Sequence, residues 1–269
     1  MVNTNHGVHK ITSHTWLIDE FGLDTQYLLE GTERSLLIDT GTGVADLRAL
    51  VEKLTGKPYD VAATHGHNDH TGGCIQFPQL FIHPDDIAMV NPTLENKQDY
   101  AAKILERYGA GDRPGFSLSD IVDGPLPKMI PICGGHTFDL GDRIIETLEV
   151  PGHTAGSIVF LDRKNHLLFS GDALNPIFLL WIDAPSPVDA ARIFLGKAKQ
   201  IAAMRRDGAF EAMYGGHCDK DPLDPQVLPD LIACAEGIID GSISKKHKKI
   251  HIFDAPFYSF GLADILMDK

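Results

Sequence analysis

The sequence predicts a mixed α/β fold in a single domain. Short strand-like runs crowd the first part of the chain, the apolar period switches to that of a helix in several later segments, and two distant stretches echo one another. The echo pairs Leu36-Leu37-Ile38-Asp39 with Leu167-Leu168-Phe169-Ser170-Gly171-Asp172. Each is an apolar strand ending at an aspartate near glycine and followed by a helix, as two similar halves would be. A chain of 269 residues with 43% hydrophobic content can bury a substantial core, and neither low-complexity sequence nor a strong linker divides it.

The elements follow in order. Val8 to Ile11, Thr15 to Ile18, Gln26 to Glu30 and Ser35 to Asp39 are strand-like runs separated by turn-forming stretches such as Glu20 to Thr25 and Gly31-Thr32-Glu33. That spacing predicts an antiparallel meander. After Gly41-Thr42-Gly43, Leu47, Leu50, Val51 and Leu54 mark one face of a helix that Gly56 and Pro58 end. Tyr59 to Thr64 reads as another strand. From about residue 84 to 130 the chain turns helical and loop-like, as an insertion over one face would, with a helix around Lys97 to Tyr108 and a Gly/Pro-rich stretch from Gly109 to Gly115.

Strands resume at Thr137 to Leu140, Arg143 to Val150, Ser157 to Leu161 and Leu167 to Ser170, and their imperfect alternation fits burial on both faces. Ser186-Pro187-Val188-Asp189 starts a helix, with Ser as cap, Pro at the first helical position and an acid in the first turn. Another helix runs from Pro225 to Asp240 with Gly241 as its stop. The basic run Ser244 to Lys249 reads as a solvated turn before a final strand, Ile250 to Phe253, with anion-binding as the alternative.

Charge and cysteine usage narrow the class. A net charge of −13 repels polyanions and counts against a nucleic-acid partner. No basic-headed leader stands at the start and no apolar run approaches the ~18 residues that span a membrane, so a cytoplasmic protein without a membrane partner is expected. Cys74, Cys133, Cys218 and Cys234 lack a paired spacing and read as reduced thiols. Cys74 and Cys234 read as core, while Cys218, beside His217, leaves a role near a metal open.

Residues 65 to 70 read His65-Gly66-His67-Asn68-Asp69-His70, four metal-binding side chains in six positions straight after a strand. No core asks for such a cluster, and imidazole with carboxylate suits a divalent ion of the zinc, iron or manganese type. Four ligands cannot hold two ions and leave a position for water, so partners are needed downstream. His153, Asp172 and His217 each sit in a glycine-bearing turn after a predicted strand, where glycine allows the tight turn that aims a side chain inward.

The chain resembles the hydrolases of the metallo-β-lactamase superfamily. Five marking features stand in order: Leu37-Ile38-Asp39-Thr40-Gly41, the 65-to-70 hexad, His153, Asp172 and His217. The resemblance implies a four-layer αβ/βα sandwich, two mixed β-sheets face to face with helices outside and a metal site at one edge. It assigns His65, His67 and His153 to a first metal and Asp69, His70 and His217 to a second. Asp172 then bridges the two, and Asp39 supports the ligand loop from behind. Two divalent cations are expected, zinc first, with iron or manganese as alternatives. Held ~3.5–4 Å apart, they would share a bridging hydroxide and polarise the scissile group. Asp69 would orient that hydroxide and shuttle its proton, or serve as a ligand only.

Departures from family patterns shape the substrate expectation. Lactam-cleaving members lack the bridging aspartate that Asp172 supplies here. The flavodiiron pattern carries an acid where His67 stands. Nuclease branches carry inserted domains or basic exosites, for which the short spacing from Asp172 to His217 leaves little room. Glyoxalase II ends in a helical domain, and acyl-homoserine lactonases place a tyrosine where this chain has Asn175. What remains is a small-molecule ester, thioester or lactone. Alternatives are a persulfide-dioxygenase-like enzyme with one iron, a phosphodiesterase, or a sensing module that turns nothing over. Asn175 to Trp181 follows the bridging aspartate: as core it would be silent, and as a pocket wall it would bring Asn175 to the substrate while Phe178 and Trp181 favour a hydrophobic or aromatic acyl group. Phe21 and the 84–130 insertion are candidates for a lid. No particular oligomeric state is indicated.

Overall fold

Alternate residues of the central strands are apolar in both phases, and the fold uses both. Leu36 and Ile38 enter one core cluster while Leu37 enters another; Leu167 and Phe169 are likewise separated from Leu168, and Ile158 and Phe160 from Val159 and Leu161. Side chains on a strand point to opposite faces in turn, so two buried faces per strand place each sheet in the middle of a stack. The structure is a computed structural model that describes residues 5–108, 115–217, 220–250 and 253–267.

The first sheet contains β1 (Gly7–Thr12), β2 (Thr15–Asp19), β3 (Thr25–Glu30), β4 (Ser35–Ile38), β5 (Tyr59–Ala62), β6 (Gln79–Ile82) and β7 (Lys128–Pro131), in that order across the sheet. β1 to β4 form the expected antiparallel meander, and β5, β6 and β7 add in parallel. Helix α1 (Leu47–Leu54) crosses from β4 to β5 and buries Leu47, Leu50 and Val51 on its sheet-facing side; Asp46 caps it by accepting from Ala49 N at 2.8 Å. The short helix α2 (Asn68–Thr71) and helix α3 (Leu94–Tyr108) follow β5 and β6 respectively.

The second sheet has the order β13-β11-β10-β9-β8, from β8 (Thr137–Asp139), β9 (Ile144–Glu149), β10 (Ile158–Asp162), β11 (Leu167–Gly171) and β13 (Ala212–Gly215). Its inner face meets the first sheet through Phe138, Ile145, Phe160 and Phe169, packed with Tyr27, Leu29 and Ile38. Its outer face is covered by α4 (Pro187–Arg206), capped by Ser186 as expected, and α5 (Val227–Asp240), which ends at a left-handed Gly241. The stack of helix, sheet, sheet and helix is the αβ/βα sandwich.

Corrections come at the periphery. A third sheet, order β12-β16-β15-β14, is built from β12 (Ile177–Leu179), β14 (Lys246–Ile250), β15 (Phe253–Phe260) and β16 (Ala263–Leu266). The basic run is therefore not a solvated turn: Lys246 to Ile250 form the edge strand β14. Lysines tolerate an edge because one row of backbone groups faces water there, and their charge discourages pairing with another chain. β6, β7, β12 and β16 escape the sequence reading because each is four residues or fewer, too short for a period to declare itself. The insertion helix begins at Leu94 rather than Lys97. Cys74 and Cys234 are wholly buried, and among the described residues no helix is long and apolar enough to cross a membrane.

Candidate metal centre

Every candidate ligand reaches one edge of the sandwich because each follows a strand that ends there. β5 leads into His65 and His67, and α2 carries Asp69 and His70. The turn between β9 and β10 holds His153, Asp172 follows β11, and His217 follows β13. β11 and β13 run parallel with Gly171 paired to Gly215, so Asp172 and His217 emerge side by side. Glycine is required beside them. Gly171 has φ of 49°, and a Cβ on Gly216 would lie 2.5 Å from both Asp172 Oδ1 and His70 Cε1.

The donor atoms gather in two groups that share Asp172. His65 Nε2 and His153 Nε2 lie 3.0 and 2.8 Å from His67 Nδ1. Opposite them, His217 Nε2 is 3.7 Å from Asp69 Oδ2 and 3.3 Å from Asp172 Oδ2. His70 Nε2 is 4.0 Å from Asp69 Oδ2 and 3.6 Å from Asp172 Oδ1. Asp172 Oδ2 also lies 3.7 Å from His153 Nε2, which places this carboxylate between the two groups.

The surrounding hydrogen bonds decide what these atoms can hold. His153 Nδ1 donates to the Leu179 carbonyl at 2.9 Å and His217 Nδ1 to the Leu23 carbonyl at 3.0 Å. Asp39, at φ 61°, accepts from Thr64 N at 2.7 Å and from the Thr64 hydroxyl at 2.9 Å, and also faces His70 Nδ1 at 3.0 Å. With its proton committed to Asp39, the Thr64 hydroxyl accepts from His65 Nδ1 at 3.0 Å. In their neutral forms His65, His153 and His217 therefore turn lone pairs toward the cluster.

Such crowding needs a proton or a cation in its midst. Burial opposes charge on His217, yet Asp172 raises it to about 10; burial likewise opposes charge on His70, and Asp172 and Asp69 still lift it well above the usual value. Burial leaves Asp172 the harder to ionise, but His217 and His70 hold it well below the carboxylate range. Around His67 the balance reverses: burial dominates and depresses His65, His67 and His153, the last to about 4. Protons cannot relieve that triad, whereas a divalent cation can. His70 Nε2, buried without a hydrogen-bond partner, is a second sign that a cation belongs here. Imidazole and carboxylate donors of this kind fit zinc, iron or manganese.

A cavity of about 840 Å³ opens over the donors, with Leu23, Tyr100, Ile104, Ile177, Leu179 and Trp181 on its walls. β12 explains which of the predicted wall residues reach it. Ile177 and Leu179 face the cavity, whereas Phe178 points the other way, wholly buried with its ring 4.4 Å from that of Phe194. Phe178 is thus core rather than substrate wall, a correction that strand alternation accounts for. Trp181 stands over the clustered donors, its ring 5.9 Å from His153 and 6.0 Å from His67. Asn175 Nδ2 donates to Asp172 Oδ1 at 2.8 Å and also lines the cavity.

Phe21 is likewise corrected. It packs between His6 and Phe116 in a satellite cluster under the insertion and does not line the cavity. The insertion itself does contribute a wall, through Tyr100 and Ile104 of α3. Cys218 lies outside the described residues.

Three residues near the donors escape the sequence reading. Asp24 stands 3.5 Å from His217 Nδ1 and accepts from the Thr42 hydroxyl at 2.7 Å; burial and the charge on Asp69 push it up to about 7. Glu20, fully buried, accepts from the backbone N–H groups of Thr42, Gly43 and Val44 at 2.7, 2.9 and 2.7 Å, gripping the turn after Asp39. Tyr100 brings its hydroxyl 3.5 Å from Asp24. The only sequence signal was an acid at each end of the Glu20-to-Thr25 turn, which solvent exposure would equally explain.

A family model for the metallo-beta-lactamase superfamily matches residues 21–217. Acyl-coenzyme A thioesterase MBLAC2 of Gallus gallus is 30% identical over 204 residues, covering 71% of each chain. The protein of that name from Bos taurus is 26% identical over 204 residues, again covering 71% of each. Among solved structures, a metallo-beta-lactamase from Pontibacter korlensis aligns with a TM-score of 0.55 at 17% identity, covering 86% of this chain and 99% of that one, a likeness of fold.

Proposed function

The chain belongs to the metallo-beta-lactamase superfamily, and from that premise we propose that it is a dinuclear metal-dependent hydrolase of thioesters, acyl-coenzyme A compounds being the first class to test. The carrying observation is the donor set: two groups of imidazoles share Asp172 at the floor of a large, partly apolar cavity. The thioesterases named above, similar over most of their length, support the choice of bond.

Two divalent cations held by His65, His67 and His153 on one side and by Asp69, His70 and His217 on the other, with Asp172 between, would supply an activated water and polarise the acyl carbonyl. The chain's own residues do the rest. Asn175 keeps Asp172 oriented through its hydrogen bond, and the Leu179 and Leu23 carbonyls fix the rings of His153 and His217. Trp181, Leu179 and Ile177 give an acyl chain an apolar wall and exclude water from it. Asp69 faces the same cavity; burial opposes its charge, yet His70 and His217 hold its carboxyl below the usual value. So held, it stays ionised: it orients the attacking water but stores no proton for a leaving group. That favours a leaving group content to depart as an anion, and a thiol with pKa of about 8.5 does so far more readily than an alcohol.

The direct test is release of free thiol from acyl-coenzyme A compounds of increasing chain length, run beside lactone and phosphodiester panels. Thiol release that rises with chain length supports the reading. Hydrolysis of the phosphodiester alone, or oxygen uptake with a persulfide substrate, would overturn it.

A further inference from the structure

The same edge of the sandwich carries another set of metal-binding donors, apart from the centre above. His83 directly follows β6, Cys133 follows β7 by two residues, and Glu149 ends β9. The first two come from one large sheet and Glu149 from the other. One imidazole nitrogen, the thiol sulfur and one carboxylate oxygen lie within 4.8 Å of one another. His83 Nε2 is 3.7 Å from Glu149 Oε1, too far for a good hydrogen bond, yet close enough for both to reach one cation at about 2.0–2.2 Å.

The donors are held rather than loose. Gly134 N donates to Glu149 Oε1 at 2.9 Å, and the Thr147 hydroxyl donates to the Cys133 carbonyl at 2.8 Å. The His83 ring is nearly buried, while Cys133 is exposed and leaves a path for an ion to enter. A simple ion pair of His83 with Glu149 and Asp85 would explain the carboxylates, but it gives the thiol no role.

We propose that His83, Cys133 and Glu149 form a further divalent-cation site, of the zinc type, that clips the two sheets together beside the catalytic loops. Thiolate, imidazole and carboxylate together suit zinc, and three protein ligands leave a fourth position for water. Binding releases the Cys133 thiol proton. His83 Nδ1 here accepts from Asp85 N at 3.3 Å; with Nε2 on the cation, Nδ1 carries the ring proton and turns it toward the Asp85 carboxylate, 3.8 Å away. The site also touches the catalytic frame. The His83 carbonyl accepts from Asp86 N at 3.1 Å, and the buried Asp86 side chain in turn accepts from Gly66 N at 2.9 Å, Gly156 N at 2.9 Å and the Thr154 hydroxyl at 2.7 Å. A cation on His83 therefore braces the loops of His65, His67 and His153.

Cobalt reports this site separately, because the His/Asp centre has only nitrogen and oxygen donors among the described residues. Co²⁺ is titrated into holoenzyme whose catalytic centre is already filled with zinc. The expected result is a thiolate-to-cobalt charge-transfer absorption that saturates at one equivalent, vanishes in Cys133→Ser, weakens in Glu149→Gln and survives in Cys218→Ser. In parallel, added zinc raises the Tm of the native holoenzyme but not that of Cys133→Ser. Absence of the band, its loss in Cys218→Ser, or its persistence in Cys133→Ser overturns the proposal.

Discussion

Asp39 occupies a left-handed backbone position, φ 61°, and directs its carboxylate onto Thr64 and His70 at once. A residue so placed is worth its strain only if the ring behind which it stands must be aimed. Asp39→Ala should therefore lower metal affinity about 10–100-fold while leaving the fold intact, measured by competition with a chromogenic chelator. A second prediction concerns protons. With His217 raised to about 10, that ring is protonated at neutral pH until a metal displaces its proton. Each pH unit toward acid makes the displacement about tenfold harder per proton, so metal affinity should fall at least about 100-fold between pH 8 and pH 6, with net proton release on binding in weak buffer. Affinity that holds steady over that interval would contradict the assigned ligand. The clustered donors were legible in the sequence because the hexad is local and because glycines mark the turns of His153, Asp172 and His217. Asp24, Glu20 and Tyr100 were not, since only the folded meander and the insertion bring them to the site.

β12 shows the same lesson for an element. An apolar run such as Ile177 to Trp181 looks uniform, and only the strand's period of two divides it into a cavity face and a core face. Two neighbouring substitutions should separate those faces. Phe178→Ala empties a core position against Phe194 and should cost about 3–5 kcal/mol of stability, seen in the denaturation midpoint. Trp181→Ala should leave stability nearly unchanged and lower kcat/KM about tenfold or more for long acyl thioesters relative to acetyl. An equal loss for all chain lengths would return Trp181 to a purely structural role. β14 failed to declare itself for a related reason: a lysine-rich edge strand is polar on its open side and resembles a turn in any local window.

At the scale of the molecule, both ends of the sandwich tie the two sheets together by different chemistry. The edge with the clustered donors uses Asp86, which joins Gly66 on the first sheet's side to Thr154 and Gly156 on the second's. At the far end, buried Arg143 pairs with Asp162 and also donates to the carbonyls of His14 and Glu30 at 2.9 and 3.1 Å, bridging β9 and β10 to the first sheet. Breaking this pair leaves an uncompensated buried charge, so Arg143→Ala should cost about 3–5 kcal/mol and leave metal stoichiometry unchanged. The sandwich was legible through the chain order of five features, each at a strand end; the third sheet was not, because none of its strands carries such a feature. The most direct measurement is recovery of acyl-thioester hydrolysis as metal-stripped protein is titrated with zinc. Activity that climbs to a plateau at two ions per chain, and is lost in Asp172→Ala, is the predicted result; full activity without metal, or a plateau at one ion, would contradict the dinuclear centre.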